Sequence, residues 1–592
     1  MCGIVATFDT KDLSDKLLSS LKKLEYRGYD SSGVAILESK GKLRVIKSLG
    51  KISELEDIMS KKSQTQSTSG IAHTRWATHG VPSDINAHPH FNSDKTIAVV
   101  HNGIVENHKK IRSFLESRGY KFVSQTDTEV LPQLFDYEYK KSKSKKLQDV
   151  MKSFLAKLDG SYAIAIISSL FPDNIVVARK GSPLCLTVID GKTWAISDPI
   201  ALLDKTKDYC FLNDCDYAVL SESSYKVYDK NARNVNRKTV TVKSSAEEIG
   251  KEGNPHFMLK EIKEQVKYLE NFKLNEILEI KRPSKINILA CGTSYHAGLL
   301  AKYYFEDISK IECNVETASE FLYRNPVISK DSLYIFISQS GETADALSAI
   351  KMVKTKNRNT LAITNVVGSS LSRESKEVVY INAGIEIGVA STKTFLGQIC
   401  VLLKLSLNWS KDKLKKEQIL KDFKSTPKGV NEIILKSKEI ITIASEISKS
   451  KSILFMGRGL SYVLALEGAL KLKELSYMHA EGHSAGEMKH GPIALIEKDY
   501  PVIFLSPFDM VFSKSSSNIQ EILARNGKIF AVTSKGADLP KTHSIFTYAR
   551  TSDYLYPIYS AVFVQLLAYY TALKKDANID QPRNLAKSVT VE

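Results

Sequence analysis

The chain opens Met1-Cys2-Gly3, and its most chemically distinctive residue is Cys2. Trimming of Met1 would place this thiol beside a free α-amino group. An α-amine titrates at about 7.7–8.0, so part of it is free base near neutral pH. A thiol carrying its own base is a complete nucleophile, the cysteine counterpart of the N-terminal threonine arrangement. The competing reading makes Cys2 the small apolar start of a strand, Gly3-Ile4-Val5-Ala6-Thr7-Phe8, and on Cys2 alone that reading is the better one.

Later residues change the balance. His73-Thr74-Arg75-Trp76-Ala77-Thr78-His79-Gly80, Asn86-Ala87-His88-Pro89-His90, His101-Asn102-Gly103 and Thr126-Asp127-Thr128-Glu129 follow in close succession, and six of the twelve histidines lie between His73 and His108. A metal site is the first alternative. It lacks H-E-x-x-H or comparable ligand spacing and has no cysteine nearby, so no metal is expected. Amide hydrolysis uses the residues better. Arg75 can fork onto an α-carboxylate, and Asp127 can hold an α-ammonium group. Asn102 and the Gly103 amide can form an oxyanion hole, glycine permitting close backbone approach. Each signal is weak alone; Asn102-Gly103 is equally a hairpin turn.

A second group of candidates lies in the other half. Cys291-Gly292-Thr293-Ser294 and Ser338-Gln339-Ser340-Gly341-Glu342-Thr343 set glycine and small hydroxyls at the expected starts of helices. One such loop reads as N-capping; two favour a cradle for the phosphate of a small molecule. Without G-x-x-x-x-G-K-[ST], a nucleoside triphosphate is not expected. Further on, Glu467, Lys471 and Glu474 share one helical face, where an i,i+4 ion pair is the strong alternative reading. His483, Lys489 and His490 follow in a glycine-rich loop, and the tail Asp580-Gln581-Pro582-Arg583-Asn584-Leu585-Ala586-Lys587 frames a single lysine.

The elements that must position these groups fall into two kinds. Residues 17–24 read as a short helix, 34–37 and 43–46 as a hairpin, and 96–100, 163–167 and 175–178 as strands with one-sided alternation. That pattern predicts an α+β domain with layered antiparallel sheets. Beyond 280 the pattern changes. Strand-like 286–290, 334–338 and 361–364 are echoed by 453–456, 502–506 and 529–533, and the first strand of each set leads into a helix, from Tyr295 in one and through Leu472 in the other. This is a duplicated strand–loop–helix module, hence two doubly wound parallel sheets with ligands at the strand C-terminal ends. The expected organisation is 1–240, a linker and connecting helix over 241–280, then 281–425 and 440–592.

Composition narrows the function classes. With 43% hydrophobic and 25% charged residues over 592 positions, the chain is globular and multidomain. A formal charge of +17 would suit nucleic acid or anionic substrates. The basic run over 140–146 lacks interleaved aromatics, and no nucleic-acid module stands out, so a solvated lysine-rich surface is the better reading and no nucleic-acid partner is expected. Seven scattered cysteines without C-x-x-C fit a reducing cytoplasm. No apolar run approaches the ~18 residues of a membrane span, and no signal peptide precedes Cys2.

Four motifs together resemble the glutaminase domain of class II glutamine amidotransferases: Cys2-Gly3-Ile4-Val5, Leu24-Glu25-Tyr26-Arg27-Gly28-Tyr29-Asp30-Ser31, His73 to Gly80 and His101-Asn102-Gly103-Ile104-Val105-Glu106-Asn107. Within that class they are most similar to the branch that aminates fructose 6-phosphate, whose paired sugar-isomerase domains the second half resembles in the same order. The resemblance implies an N-terminal-nucleophile αββα sandwich followed by two α/β isomerase domains. It implies that Cys2 attacks glutamine, with Asn102 and Gly103 at the oxyanion. Arg75, Trp76, Thr78, His79, Gly103 and Asp127 would form the glutamine pocket, Trp76 gating ammonia. Cys291, Gly292, Thr293, Ser294, Ser338, Gln339, Ser340, Thr343, Val389, Ala390 and Ser391 would hold fructose 6-phosphate. Lys587 would form a Schiff base, Glu474 would move the proton between C1 and C2 with Lys471 assisting, and His490 would open the sugar ring across a homodimer interface. No cofactor is implied. One departure is Gly482-His483-Ser484, which replaces a bulkier or alanine-rich stretch, and His483 is given no role.

Two other readings remain at this stage: an amidotransferase of the same class with another acceptor, and a non-enzymatic sugar-phosphate sensor. The first predicts a different second half; the second has no need of Cys2, Glu474 and Lys587.

Overall fold

The computed structural model describes residues 2–62, 66–242 and 246–590. The expected trimming of Met1, residues 243–245 of the expected linker and the last two tail positions lie outside the described residues. Strand Gly3–Phe8 pairs antiparallel with Ser67–Arg75 on one side and Lys192–Ile196 on the other, within an eight-stranded sheet. A six-stranded antiparallel sheet lies against it. Period-2 alternation decides the layers: Ile4, Ala6 and Phe8 share a core with Ala98, Val100, Ala163 and Ala165 of the second sheet, while Val5 packs with Leu13, Leu17 and Leu21 of helix Leu13–Lys22. On the far face, helices His108–Glu116, Val130–Lys141 and Leu147–Leu155 bury Leu115, Phe135 and Phe154. The domain is thus helix, sheet, sheet, helix.

Strand Ile97–Val105 runs straight through Asn102 and Gly103, so the hairpin-turn alternative fails there. Gly103 holds φ 124°, and a Cβ on it would stand 2.2 Å from Ser161 O. Glycine is required by backbone conformation and by the neighbouring strand together.

The second half contains two five-stranded parallel sheets of the same strand order. Lys285–Ala290 lies between Glu312–Thr317 and Ser332–Ser338, as Ser452–Gly457 lies between His479–Ser484 and Pro501–Leu505. His483 therefore sits in a strand and not in the expected loop. The first helix starts at Gly292, three residues before Tyr295, which puts Thr293 and Ser294 in its first turn. Helices Lys393–Trp409, Leu460–Ser476 and Tyr556–Lys574 bury leucine, isoleucine and phenylalanine in one core that spans both sheets. At each sheet the chain leaves the first strand on one face and the third on the other, which opens a crevice at the strand C-terminal ends.

Candidate active sites

The first constellation forms where Gly3–Phe8 meets Ser67–Arg75 and Ile97–Val105. Cys2 Sγ accepts the Trp76 N–H at 3.2 Å, and Asn102 Nδ2 donates to Cys2 O at 2.9 Å. Gly3 N–H donates to Thr74 Oγ1 at 3.0 Å, fixing where the chain start lies. Burial pushes the Cys2 thiol up, and the Trp76 N–H and the charges of Arg75 and Arg27 oppose it in part. A thiol so placed needs a base to become a nucleophile.

Around it stand the expected substrate-gripping groups. Arg75 Nη2 donates to His79 O and to Gly80 O, while Nη1 is buried with no partner among the described residues. That is a free donor edge suited to a carboxylate. Asp127 is buried and accepts the Val105 N–H at 2.7 Å. Trp76 meets Tyr29 edge to face at 5.7 Å, and His79 meets His108 at 5.4 Å. Thr78 is exposed.

The second constellation lies at the crevice of the first isomerase-type sheet. Ser338 ends its strand; its Oγ lies 2.8 Å from Thr343 Oγ1 and accepts the Gly341 N–H at 3.0 Å. Ser340 Oγ accepts the Glu342 N–H, so Ser338 to Thr343 curl into a hydroxyl-rimmed cup before helix Ala344–Lys354. Not every expected hydroxyl is free. Thr293 Oγ1 donates to Glu467 Oε1 at 3.1 Å, and Ser294 Oγ accepts from Gln398 at 3.0 Å. Glu467 also takes His296 Nδ1 at 2.7 Å. Lys471 lies 3.5 Å from Glu467 and 2.5 Å from Glu474, so the ion-pair reading of that helical face holds beside the functional one. Thr293 is thus hydrogen-bonded to a carboxylate of the second module.

Lys587 reaches this crevice from the tail. Its Nζ donates to Glu386 Oε2 at 2.5 Å and to Gly388 O at 2.7 Å. Burial would raise the Glu386 carboxyl, but the charge and hydrogen bond of Lys587, with donors from Thr394 and Thr392, hold it at about 2. Val389, Ala390 and Ser391 continue this loop, with Ser391 Oγ 2.7 Å from Thr394 Oγ1. His490, in the short turn Met488–His490, is exposed on this chain.

Several partners escaped the motif reading. Glu386 was a lone carboxylate inside the apolar run Ala383 to Ile387, a signal that was visible. Glu261 accepts the Ile387 and Gly388 N–H groups from far along the chain, and no local pattern marks it. Tyr29 OH donates to Pro582 O at 2.9 Å and Leu585 O at 3.0 Å, tying the first domain to the tail that carries Lys587. Between the two halves lies a cavity of about 450 Å³ bordered by Arg27, Asp198, Phe211, Val366, Glu386 and Lys587.

An N-terminal-nucleophile amide-cleaving domain joined to a repeated sugar-phosphate module is what this fold and these sites define. Family models agree: a glutamine amidotransferase domain matches residues 73–204, and a SIS domain matches 279–406 and 446–575. Glutamine–fructose-6-phosphate aminotransferases (isomerizing) from Clostridium tetani and Methanosarcina acetivorans are 43% and 44% identical to this chain, each comparison covering 100% of both chains. A solved C-terminal domain of glucosamine-fructose-6-phosphate aminotransferase from Francisella tularensis is 38% identical, covers 56% of this chain and 100% of its own, and superposes with a TM-score of 0.54. The chain belongs to the glutamine–fructose-6-phosphate aminotransferase (isomerizing) family.

Proposed function

We propose that the chain converts D-fructose 6-phosphate and L-glutamine to D-glucosamine 6-phosphate and L-glutamate, the step that opens amino-sugar synthesis. Cys2, activated by its own α-amine, attacks the glutamine side-chain amide, and Asn102 and Gly103 receive the negative charge on oxygen. Arg75 and Asp127 grip the substrate's carboxylate and ammonium groups, with Trp76, Thr78 and His79 around them. Ammonia leaves, passes Trp76 and reaches the sugar; water later frees glutamate from the thioester.

In the second half Ser338, Gln339, Ser340 and Thr343 take the phosphate, with Cys291, Gly292, Thr293 and Ser294 bordering it and Val389, Ala390 and Ser391 along the sugar. Lys587 condenses with the C2 ketone and loses water, ammonia displaces the lysine, and Glu474 moves a proton from C1 to C2. The equation balances without a cofactor. The reacting halves correspond to 1–240 and 281–592. We also propose a cytoplasmic homodimer, in which His490, exposed on its own chain, opens the sugar ring in a neighbouring copy's crevice. Among the described residues, no helix is long and apolar enough to cross a membrane.

The observation that carries this reading is the tail: one segment bears Lys587 and is hydrogen-bonded to Tyr29 beside Trp76. The test is label transfer. Amide-15N glutamine and fructose 6-phosphate are supplied in unlabelled ammonium buffer and the product is analysed by mass spectrometry. Labelled glucosamine 6-phosphate is expected; glutamate without amino sugar would transfer the activity to another acceptor.

A further inference from the structure

We propose that His73 is a positioning residue that sets the orientation of the Asn102 amide and so aims the oxyanion hole at Cys2. This rests on the assignment of Asn102 to that hole. His73 belongs to strand Ser67–Arg75 of the eight-stranded sheet, and Asn102 to Ile97–Val105 of the six-stranded one, so the contact crosses the sandwich. His73 Nε2 stands 3.0 Å from Asn102 Oδ1 and 3.0 Å from His101 O.

Both neighbours of Nε2 are acceptors, so that nitrogen carries the ring proton and shares it between them. Nδ1 is then the lone-pair nitrogen, and it is buried without a partner among the described residues. The ring is stacked on His88 with centroids 4.1 Å apart, and His88 Nδ1 accepts the His101 N–H. Burial draws His73 down to about 3, against the His101 and Asn102 hydrogen bonds, so it remains a neutral single donor through the working pH range.

The consequence falls on Asn102. Its Oδ1 must face His73, and its Nδ2 must face Cys2 O, 2.9 Å away. A flipped amide would oppose two donors at His73 and two acceptors at Cys2, each buried and unpaired. One N–H of Nδ2 is spent on Cys2 O, and the other is left for the developing oxyanion. Without the His73 donor the amide loses one of the two contacts that distinguish its orientations, Cys2 O alone is left to hold it, and the hole is assembled in a smaller fraction of molecules.

The experiment is a double-mutant cycle on glutamine hydrolysis. Oxyanion donors are worth about 100–1000-fold in kcat, so Asn102→Ala should fall by that order. His73→Met should lower kcat by roughly 30–100-fold and leave KM within about threefold, since a ground-state amide makes little use of the hole. His73→Gln places an N–H near the position of Nε2 and should recover most of the loss; His73→Asn, whose amide corresponds to Nδ1, should not, and replaces His73→Met should that variant not fold. In the Asn102→Ala background, His73→Met should cost less than about twofold. Sugar-phosphate isomerisation without glutamine should be unchanged throughout. An equal loss in both backgrounds, or Gln and Asn variants equally damaged, would overturn the inference while leaving Asn102 in place. Wild-type hydrolysis by Asn102→Ala would remove the underlying assignment instead.

Discussion

Glu386 and Glu261 are both enclosed near Lys587, yet their surroundings act on them in opposite directions. The Lys587 ammonium and the Thr392 and Thr394 donors hold Glu386 at about 2 despite burial. Glu261 is pushed up to about 7 by burial and by Glu386, with Lys587 and Lys393 opposing, and its Oε2 has no partner among the described residues. The pH signatures therefore differ in sign. Glu386 is depressed, so its contribution to stability is full above the ordinary carboxylate range and is lost as pH falls toward 2. Glu261 is raised, so folding takes up a proton between the ordinary range and about 7, and its contribution falls as pH rises through that window. Glu386→Gln should destabilise at pH 7 by about 3–5 kcal/mol, as expected when one partner of a buried ion pair is removed, with the deficit shrinking below pH 4. Glu261→Gln should compare more favourably with wild type at pH 8 than at pH 4. Urea denaturation at three pH values reads both; a deficit for Glu386→Gln independent of pH would show that shape and not charge is what the residue supplies. Glu386 stands out in sequence as a lone carboxylate in an apolar run, but its partner does not, and Glu261 carries no local mark at all, because the partners lie more than a hundred positions away: Lys587 for Glu386 and the 386–388 loop for Glu261. Cys2, Arg75, Asn102 and the Ser338 to Thr343 loop could be picked out as candidates, each weak alone and gaining weight only because the others accompany it in the same chain.

Among elements, the same division between local and distant information holds. The strands read from sequence, such as 286–290, 334–338, 453–456 and 529–533, are central ones, apolar because both faces are covered. Those that escaped notice in the parallel sheets are Glu312–Thr317, Glu377–Tyr380, His479–Ser484 and Ser544–Tyr548, and these are the four sheet edges. An edge strand meets solvent and loops, so Glu312–Thr317 and His479–Ser484 keep glutamate, asparagine, histidine and serine, while Glu377–Tyr380 and Ser544–Tyr548 carry only short apolar stretches. The helices between the sheets carry a thermodynamic consequence. Leu464 on Leu460–Ser476 lies in the core common to both sheets, which is separate from the core between the glutaminase sheets. Leu464→Ala should cost about 2–5 kcal/mol and lower the calorimetric transition of the isomerase half. Glutamine hydrolysis should keep its own inactivation temperature. A common downward shift of both would mean that the two halves unfold as one unit.

At the scale of the whole molecule, the tail touches several distant segments of the chain. Asp580 accepts the N–H groups of Phe257 and Met258 at 3.0 and 3.1 Å, capping the helix that follows the linker. Arg583 lies over the Tyr477 ring at 4.2 Å, just past the helix that carries Glu474, and Val589 O accepts the Ala344 N–H beside the cup. With the Tyr29 hydrogen bonds to Pro582 and Leu585, the segment bearing Lys587 is held at four places within its own chain. His490, by contrast, is exposed in the short turn Met488–His490. If a second copy supplies it, two inactive variants should complement. In a mixed dimer of Lys587→Arg and His490→Ala chains, one crevice combines the lysine of the second chain with the histidine of the first and is intact, while the other carries both lesions. Random pairing makes half the dimers mixed, so co-expressed chains should regain about a quarter of wild-type synthase activity under closed twofold symmetry. Separately purified variants, mixed under conditions that do not exchange subunits, should stay inactive. Recovery absent after co-expression, with mixed dimers verified by differential tags, would place His490 in service of its own chain and require the Met488–His490 turn to move inward.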